Sequence, residues 1–334
     1  LGKNNINVKA ISQGSSERNI TAVIKNNDVK KALNTLHEKF FEKNVKQINL
    51  FIIGIGNVGS KLIDQIEKQT DYLTKKLKLK LRVIAISNSK KMLFDESGLT
   101  LSNLKEDIDN GENSNLDEFF KKINKLNLRN SVFIDNTASS KIAGLYQNFL
   151  KNNISVVTCN KIACSDSYSS YIELKKLASK YDTSFLYETN VGAGLPIIDT
   201  LNNLINSGDK INSIQAVLSG SLNYIFNNFN NSNTFEDVVK EAMDKGFTEP
   251  DPKIDLSGID VARKILILAR ESGNKIELND ITNKSFLPKE SLNTKDNKEF
   301  LKSLSENKDH FETILNDAYI KDCKIKYVAE YKNG

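Results

Sequence analysis

The chain has 334 residues, of which 39% are hydrophobic and 27% charged, the composition of a globular protein long enough for two or more domains. Its formal net charge of +5 comes from lysines spread among acids and asparagines, without a basic stripe that would indicate a nucleic-acid partner. Three cysteines and two histidines argue against a disulfide framework, a zinc site or a histidine-based triad. Because the sequence has neither an apolar run of roughly 18 residues nor a secretory signal, we expect a cytoplasmic protein without a membrane partner.

The first predicted elements are two strands, at 6–11 and 20–24, and a helix that Asp28 can cap. A unit of this size does not fold alone, so we interpret residues 1–44 as the end of a preceding domain. The chain begins without a methionine and ends just after a strand-like run at 324–329. We therefore expect both ends to be cut from a longer polypeptide.

Between residues 45 and 188 strand-like and helix-like segments alternate. The strands are short and apolar, at 45–53, 81–87, 131–135, 154–158 and 184–187, and the helices lie near 58–77, 115–127, 140–152 and 167–181. This alternation predicts right-handed crossovers and an α/β domain with a mostly parallel, doubly wound sheet over residues 45–188.

Beyond residue 189 strands and helices no longer alternate regularly. A helix near 195–206, a strand at 211–218 and several later helices predict a second domain of mixed α+β structure, over residues 189–334. Two polar stretches, at 99–115 and 283–299, are predicted to be loops.

A glycine motif, Gly54-Ile55-Gly56-Asn57-Val58-Gly59, follows the first buried strand and opens a helix. In a dinucleotide-binding turn the first glycine allows the tight bend and the second lets the backbone approach a pyrophosphate. The third lets the helix pack on the strand, and the helix N-terminus offers unpaired N–H groups to the phosphates. This context favours a dinucleotide site, with a glycine-rich structural turn as the alternative.

The second strand of the predicted sheet ends at Ser87, and small polar residues and two lysines follow it where NAD-specific sites usually have an acid. We therefore expect NADP, or use of both coenzymes, unless the lysines are simply solvated.

Later strand ends, at 135–140 and 158–161, lie at the same carboxyl edge, where open α/β sheets bind ligands. Lys161 is therefore either a neighbour of the nicotinamide and a carbonyl substrate or a solvated loop lysine.

Glycines at 192 and 194 make a sharp turn between Glu188 and Pro196. The turn either joins a strand to a helix and does no more, or holds a hard cation through a carboxylate and backbone carbonyls.

The segment from Gly246 to Lys264 contains two prolines, two glycines and several acids, and then enters a helix. Asp260 and Lys264 are four residues apart and share a face of that helix. Such a pair is usually an exposed ion pair that contributes little to stability. Beside a rigid acidic loop and an apolar helix, it can instead be a partly buried pair suited to proton transfer.

Six stretches occur in a fixed order over about residues 46–330: GIGNVG, DNTAS, VVTCNK, YETNVGAGLP, VLSGSLNYIF and GFTEPDPKIDLSGIDVARK. In this order they closely resemble homoserine dehydrogenase. Residues 8–41 resemble the end of an aspartokinase regulatory (ACT) region, as in the bifunctional aspartokinase/homoserine dehydrogenases of threonine and methionine biosynthesis.

The resemblance implies a Rossmann-type domain and the NAD(P)-dependent interconversion of L-homoserine and L-aspartate 4-semialdehyde. It also implies a small-molecule substrate, no nucleic acid, and a homo-oligomer (a dimer or tetramer) in an intact protein that also carries the kinase part, which this chain lacks.

Site residues follow from the resemblance position by position. The cofactor would contact Gly54, Gly56, Asn57, Val58, Gly59, Ser87, Thr137, Ser139, Lys161 and Gly246. Glu249, Asp255 and Asp260 would bind the substrate. Lys264 would be the general acid/base, in a catalytic set with Lys161 and Asp260. A monovalent cation such as Na⁺ would be held by Glu188 and the backbone carbonyls of Val191, Ala193 and Leu195.

One departure from the family lies at Cys159-Asn160-Lys161-Ile162-Ala163, where the family usually reads Pro-Asn-Lys-Lys-Ala. Only the first lysine survives, so the role falls to Lys161. Family members also continue past the position of Gly334. Two other functions remain open: another small amino- or hydroxy-acid dehydrogenase on the same scaffold, and a regulatory or interaction module.

Overall fold

A computed structural model describes residues 1–15, 19–40, 45–249 and 251–332. The chain forms two compact units. The first consists of Leu1–Ala163 with Ser169–Tyr187, and the second of Cys164–Tyr168 with the chain from Glu188 onward. None of the helices within the described ranges is long and apolar enough to cross a membrane.

The N-terminal segment is a hairpin followed by a helix. Strands β1 (Val8–Gln13) and β2 (Ile20–Ile24) pair antiparallel, and α1 (Val29–Phe40) follows. The first strand starts two residues later than predicted because a short 3₁₀ helix and a left-handed residue, Asn5, precede it. The boundary predicted at residue 44 lies outside the described residues.

Seven strands of the first unit form one sheet. They are β3 (Lys46–Ile53), β4 (Leu79–Ser87), β5 (Lys91–Phe94), β6 (Glu112–Asn113), β7 (Ser131–Asp135), β8 (Ser155–Thr158) and β9 (Phe185–Leu186). Their order in the sheet is β6-β5-β4-β3-β7-β8-β9. Only β5 and β6 run antiparallel to their neighbours, so the predicted mostly parallel α/β sheet is confirmed.

The helices of this region alternate with the strands. They are α2 (Asn57–Lys75), α3 (Leu104–Asp107), α4 (Leu116–Leu126), α5 (Ser140–Ala143), α6 (Tyr146–Lys151), α7 (Ile162–Ser165) and α8 (Tyr168–Lys180). The single helix predicted at 140–152 is in fact two, because the chain turns at Gly144 and Leu145. The stretch at 99–115 is also more than a loop, since it contains α3 and β6.

Strand β3 lies between β4 and β7, and this position defines the sheet's ligand-binding edge. The chain leaves β3 towards β4 and later returns to the other side of β3 as β7. Ile53 at the end of β3 is therefore in register with Ser87 of β4 and with Asp135 of β7. In open α/β sheets ligands bind outside the carboxyl ends of the strands where the order reverses in this way.

The second unit is mostly helical. It contains α9 (Ile197–Asn206), β10 (Ser213–Ala216), α10 (Gly220–Asn228), α11 (Phe235–Asp244), α12 (Pro252–Leu256), α13 (Ile259–Glu271), α14 (Lys289–Leu292), α15 (Asn297–Glu306), α16 (Lys308–Ile320) and β11 (Ala329–Lys332). Strands β10 and β11 pair antiparallel. The predicted loop at 283–299 includes α14, and the strand predicted at 324–329 is wrong in position because the ladder to β10 begins only at Ala329.

Helix α13 forms the core of the second unit. Its central residues from Ile265 to Ala269 are buried, and the helix contacts α9, α12 and β11. At its far end the Arg270 guanidinium is also buried, donating hydrogen bonds to the Cys164 carbonyl and to the Glu277 carboxylate, both at 2.9 Å. The bond to Cys164, and those from the Tyr168 N–H to the Glu277 carboxylate at 3.0 and 3.1 Å, join Cys164–Tyr168 to the second unit.

Candidate active site

The glycine turn between β3 and α2 is shaped by two contacts inside the protein. Gly54 has a φ of +90°, a conformation that side chains rarely adopt, and a Cβ there would lie 2.8 Å from Thr137 Cγ2. A Cβ on Gly59 would overlap the Gly54 carbonyl oxygen. These two glycines are therefore required by the turn itself, as the motif predicted.

Gly56 differs, because a Cβ on it would meet nothing within 4 Å. Packing inside the protein therefore gives no reason for a glycine there, whereas the close approach of a ligand does. Helix α2, which Gly56 caps, has no acid in its first turn and no side-chain cap hydrogen bond in the described structure. Its N–H groups and the positive end of its dipole thus suit the phosphates of a dinucleotide.

Asn136, in the turn after β7, adds a donor beside the glycines. Its Nδ2 atom is buried and has no hydrogen-bond partner within the described residues, and a Cβ on Gly59 would lie 3.2 Å from it. A buried donor is costly unless it is satisfied, and a bound dinucleotide fits this need. Thr137 and Ser139 follow in the same turn, in which the Ser139 N–H donates to Thr137 Oγ1 at 3.1 Å.

Ser87 ends β4 beside this edge, but its side chain is buried. Its hydroxyl donates to the Asn88 and Lys91 carbonyls at 3.1 and 3.2 Å and lies 3.1 Å from Ser114 Oγ. The side chain thus fastens the turn from β4 to β5. The exposed residues of that turn are Ser89 and Lys90, which are better placed than the Ser87 hydroxyl to meet a ribose or its phosphate.

Lys161 lies half-buried between β8 and α7. Asn160 precedes it, and the side-chain oxygen of Asn160 accepts the Ile162 N–H at 3.1 Å, so that the turn closes around Lys161. Burial, and then the Asp135 carboxylate, raise the pKa of the neighbouring Cys159 thiol. The thiol is therefore neutral at physiological pH and a poor nucleophile.

In the second unit, Asp255 joins the acidic loop to helix α10. Its Oδ2 accepts the Glu249 N–H at 2.7 Å, and its Oδ1 accepts the Ser221 hydroxyl at 2.9 Å. Burial, and the charge of Asp260, raise the pKa of Asp255, while the two hydrogen bonds and Lys264 oppose the shift. Asp255 thus fixes the backbone of Glu249, whose side chain is exposed.

The Lys264 ammonium is held from two sides within the same unit. It lies 2.7 Å from Asp260 Oδ2 and donates to the Leu218 carbonyl at 2.7 Å. The two side chains are only 16% and 23% exposed, unlike an ordinary i,i+4 surface pair. The ammonium is thus positioned with N–H protons available for transfer.

Glu188 and the following glycines form the turn into α9. The two Glu188 carboxylate oxygens accept the Ile198 and Asp199 N–H groups, both at 2.8 Å, so the side chain caps the helix. Gly192 and Ala193 both have left-handed φ angles, of 78° and 51°. Gly246 also has a left-handed φ, of 69°, at the end of α11.

Leu218 and Ser221 are site residues that the sequence analysis missed. Both lie within two residues of Ser219, whose side chain caps α10 by accepting the Leu222 N–H. A serine before a helix is a recognisable cap signal, but nothing in the sequence pairs Ser221 with Asp255, 34 residues away.

Comparison with known proteins identifies the family. The homoserine dehydrogenase family model matches residues 196–333, the model of its NAD-binding domain matches 54–188, and an ACT-domain model matches 1–40. The homoserine dehydrogenase of Schizosaccharomyces pombe is 34% identical over 85% of this chain and 77% of that protein. The chain belongs to the homoserine dehydrogenase family. The resemblance read from the motifs is thereby confirmed.

Two further relatives bear on the wider protein and on the cofactor. The bifunctional aspartokinase/homoserine dehydrogenase of Haemophilus influenzae is 42% identical over 100% of this chain, which spans only 41% of that protein's length. A hyperthermophilic archaeal homoserine dehydrogenase solved in complex with NADPH is 27% identical, with a TM-score of 0.59. The match covers 69% of this chain and 71% of that one.

The contrast between Gly56 and Gly59 predicts two different effects of the same added methyl group. Gly56→Ala should weaken NADPH binding about tenfold or more while leaving the melting temperature nearly unchanged. Gly59→Ala should lower both the affinity and the melting temperature, because its Cβ overlaps the Gly54 carbonyl. Fluorescence titration with NADPH and thermal denaturation measure the two effects. Tight NADPH binding by Gly56→Ala would contradict the assignment of the glycine turn.

The raised pKa of Asp255 predicts a pH-dependent stability difference. A carboxyl group whose pKa is higher in the folded state costs no stability when the pH is below the ordinary pKa of 3.8. The cost appears as the pH rises through the raised pKa. Asp255→Asn removes this cost, and its amide can still accept from Glu249 N and donate to Ser221. We expect Asp255→Asn to gain stability over the parent between about pH 4 and pH 7, measured by urea unfolding.

Asp317→Asn is the control for Asp255→Asn, since it makes the same change at an exposed carboxylate. If the difference in the free energy of unfolding between Asp255→Asn and the parent does not change with pH, or changes sign, the pKa argument is refuted.

Proposed function

We propose that the chain catalyses the NAD(P)-dependent interconversion of L-homoserine and L-aspartate 4-semialdehyde. The observation that carries the proposal is the Lys264 ammonium, held 2.7 Å from both the Asp260 carboxylate and the Leu218 carbonyl. Membership of the family and the match to its NAD-binding domain support the choice of reaction.

The chain's own residues account for the proton and for substrate binding. Reduced nicotinamide, when bound, supplies the hydride that the aldehyde carbon accepts. Lys264 donates a proton to the carbonyl oxygen, which becomes the homoserine hydroxyl, and takes it back in the reverse direction. Asp260 and Glu249 are anionic partners for the substrate ammonium group. Asp255 keeps Glu249 in place, and Lys161 orients the substrate and the nicotinamide.

We propose NADP(H) as the preferred coenzyme. The strand end at Ser87 carries no acid, and Lys90 is exposed in the turn that follows. An exposed lysine beside small polar residues suits a 2′-phosphate, whereas an acid would have suited free ribose hydroxyls.

A monovalent cation such as Na⁺ at the Glu188 turn is the second part of the cofactor proposal. The oxygen ligands would be the Glu188 carboxylate and the carbonyls of Val191, Ala193 and Leu195. Both Glu188 oxygens already accept helix N–H groups, but a carboxylate has further lone pairs for a cation. The cation would then stabilise the turn that begins α9.

We also propose that the parent protein is a bifunctional aspartokinase/homoserine dehydrogenase. The Haemophilus influenzae protein of that name aligns with the whole chain, and the ACT-domain match covers residues 1–40. The three-part division at residues 44 and 188, a cytoplasmic location and a homo-oligomeric assembly remain predictions. An aspartokinase assay of the parent protein tests its bifunctional character, and its mass in solution tests the homo-oligomeric assembly.

The activity is tested by the oxidation of NADPH in the presence of aspartate semialdehyde. We expect consumption of NADPH with this substrate and not with other small aldehydes, faster than with NADH, and slower when choline replaces sodium. Turnover with a different amino- or hydroxy-acid aldehyde alone would assign the scaffold to another dehydrogenase. Equal rates in sodium and choline would remove the cation proposal without affecting the rest.

Lys264→Met should lower kcat by about 10²- to 10⁴-fold, the usual contribution of a general acid, while the Kd for NADPH stays nearly unchanged. The matched control is Lys240→Met, which removes the lysine of another i,i+4 pair in the second unit, with Glu236. Lys240 is 48% exposed, against 16% for Lys264, and the control should retain its kcat. Loss of NADPH affinity in Lys264→Met, with kcat intact at saturation, would show that Lys264 does not transfer the proton.

A further inference from the structure

A buried polar network lies beneath two of the loops at the carboxyl edge of the sheet. Its centre is Asp135, the last residue of β7, which is 0% exposed. Asp135 Oδ1 accepts the Thr137 N–H at 2.8 Å. Asp135 Oδ2 accepts the Tyr146 hydroxyl at 2.5 Å and the Asn160 Nδ2 at 3.0 Å. One carboxylate therefore bonds to the loop that follows β7, to helix α6 and to the loop that follows β8.

Asn160 uses both ends of its side chain and its backbone in this network. Besides Asp135, its Nδ2 donates to the Ser139 carbonyl at 3.0 Å, and its Oδ1 accepts the Ile162 N–H at 3.1 Å. Its own N–H donates to Thr158 Oγ1 at 2.8 Å. The residue on each side of Lys161 is thus fixed by hydrogen bonds of the Asn160 side chain or backbone.

We propose that Asp135 and Asn160 are a positioning pair that sets the place of Lys161 relative to the Thr137–Ser139 loop. The proposal deepens the function proposed above and rests on it for the role of Lys161. Neither side chain acts on the substrate, because both are buried, at 0% and 2% exposure. They act through the backbone on either side of Lys161.

The pattern of donors explains why the pair requires a carboxylate and an amide. Three donors converge on the two Asp135 oxygens, and in Asp135→Asn the new amide NH₂ would face at least one N–H in either orientation. If it faced Thr137 N, that hydrogen bond would be lost; if it faced Asn160, the Asn160 amide would have to flip and release Ile162. An unsatisfied buried donor is costly, so the network admits one arrangement.

The alternative is that the network serves only to pack β7 against α6. Tyr146 supports that reading in part, since its ring lies among aromatic neighbours, 6.3 Å from Phe133 and 6.0 Å from Phe185 between ring centroids. Packing alone, however, does not require Asn160 to bond across to the Ser139 carbonyl or to close the turn around Lys161. The two readings differ in what happens to Lys161 when Asn160 is changed.

Hydrogen exchange tests the pair without reference to activity. In Asn160→Ala, the amides of residues 159–163 should exchange about 5-fold faster or more, the effect of losing one or two hydrogen bonds, while those of β3 should not change. Tyr146→Phe, which removes a single hydroxyl, should produce a smaller effect in the same segment, and it decides the matter if Asn160→Ala does not fold. Unchanged exchange at 159–163, or equal acceleration throughout the sheet, would overturn the proposal.

Kinetics then test whether the pair acts through Lys161. Asn160→Ala should lower kcat about 10- to 100-fold, as small misplacements of a reacting group do, with a far smaller change in the Kd for NADPH. In a Lys161→Ala background the same substitution should have almost no further effect on kcat. An equal loss of kcat in both backgrounds would show a merely structural role and would overturn the proposal.

Tyr171→Phe is the matched control, since Tyr171 is another tyrosine of the first unit that is almost fully buried, on α8. It should leave both kcat and the exchange of residues 159–163 unchanged. If Lys161→Ala alone leaves kcat unaltered, the role given to Lys161 in the proposed function fails. In that outcome the exchange data still decide whether the pair holds the turn.

Discussion

The reversal of strand order at β3 is the constraint on which the first unit depends. Because β4 and β7 flank β3 on opposite sides, three strand ends meet at Ile53, Ser87 and Asp135. Backbone hydrogen bonds from the Gly54 N–H to the Ser87 carbonyl and from the Asn136 N–H to the Ile53 carbonyl, both 2.9 Å long, fasten these ends together. The glycine turn follows at the edge where an open sheet can receive a dinucleotide. So does the buried Asn136 Nδ2, which has no hydrogen-bond partner in the part of the chain that the structure describes.

In the second unit several charged side chains lie close together and are only partly exposed to water. Helix α13 is buried along its centre, so Asp260 and Lys264 extend from a rigid support. The Leu218 carbonyl and the Asp260 carboxylate fix the ammonium, while Asp255 accepts hydrogen bonds from Ser221 and from the backbone of Glu249. Burying Asp255 costs stability, as its raised pKa indicates, and that cost is typical of residues retained for a site.

Local patterns in the sequence predicted much of this arrangement. The alternating apolar segments predicted the parallel sheet, and the glycine spacing predicted the turn, because both depend on residues close together in the chain. The four-residue spacing of Asp260 and Lys264 likewise predicted a shared helix face. In each case short-range geometry alone was sufficient.

Contacts between distant residues could not be predicted in this way. Ser87 is buried because β5 turns back beside β4 and brings Ser114 against it, and neither the hairpin nor that contact has a local signal. Asp135 and Asn160 are 25 residues apart and meet only because β7 and β8 are neighbours. Local patterns in the sequence therefore predicted candidate site residues, whereas the contacts that hold those residues in place depend on the fold.

The transfer of deuterium from NADPH labelled at the nicotinamide C4 position to aspartate semialdehyde tests the central claim most directly. The account predicts homoserine that carries one deuterium at the carbon of the former aldehyde, detected by mass spectrometry, when the semialdehyde is reduced by this chain. Failure to form homoserine, or homoserine without the label from either face of the labelled coenzyme, would contradict direct hydride transfer and with it the proposed function.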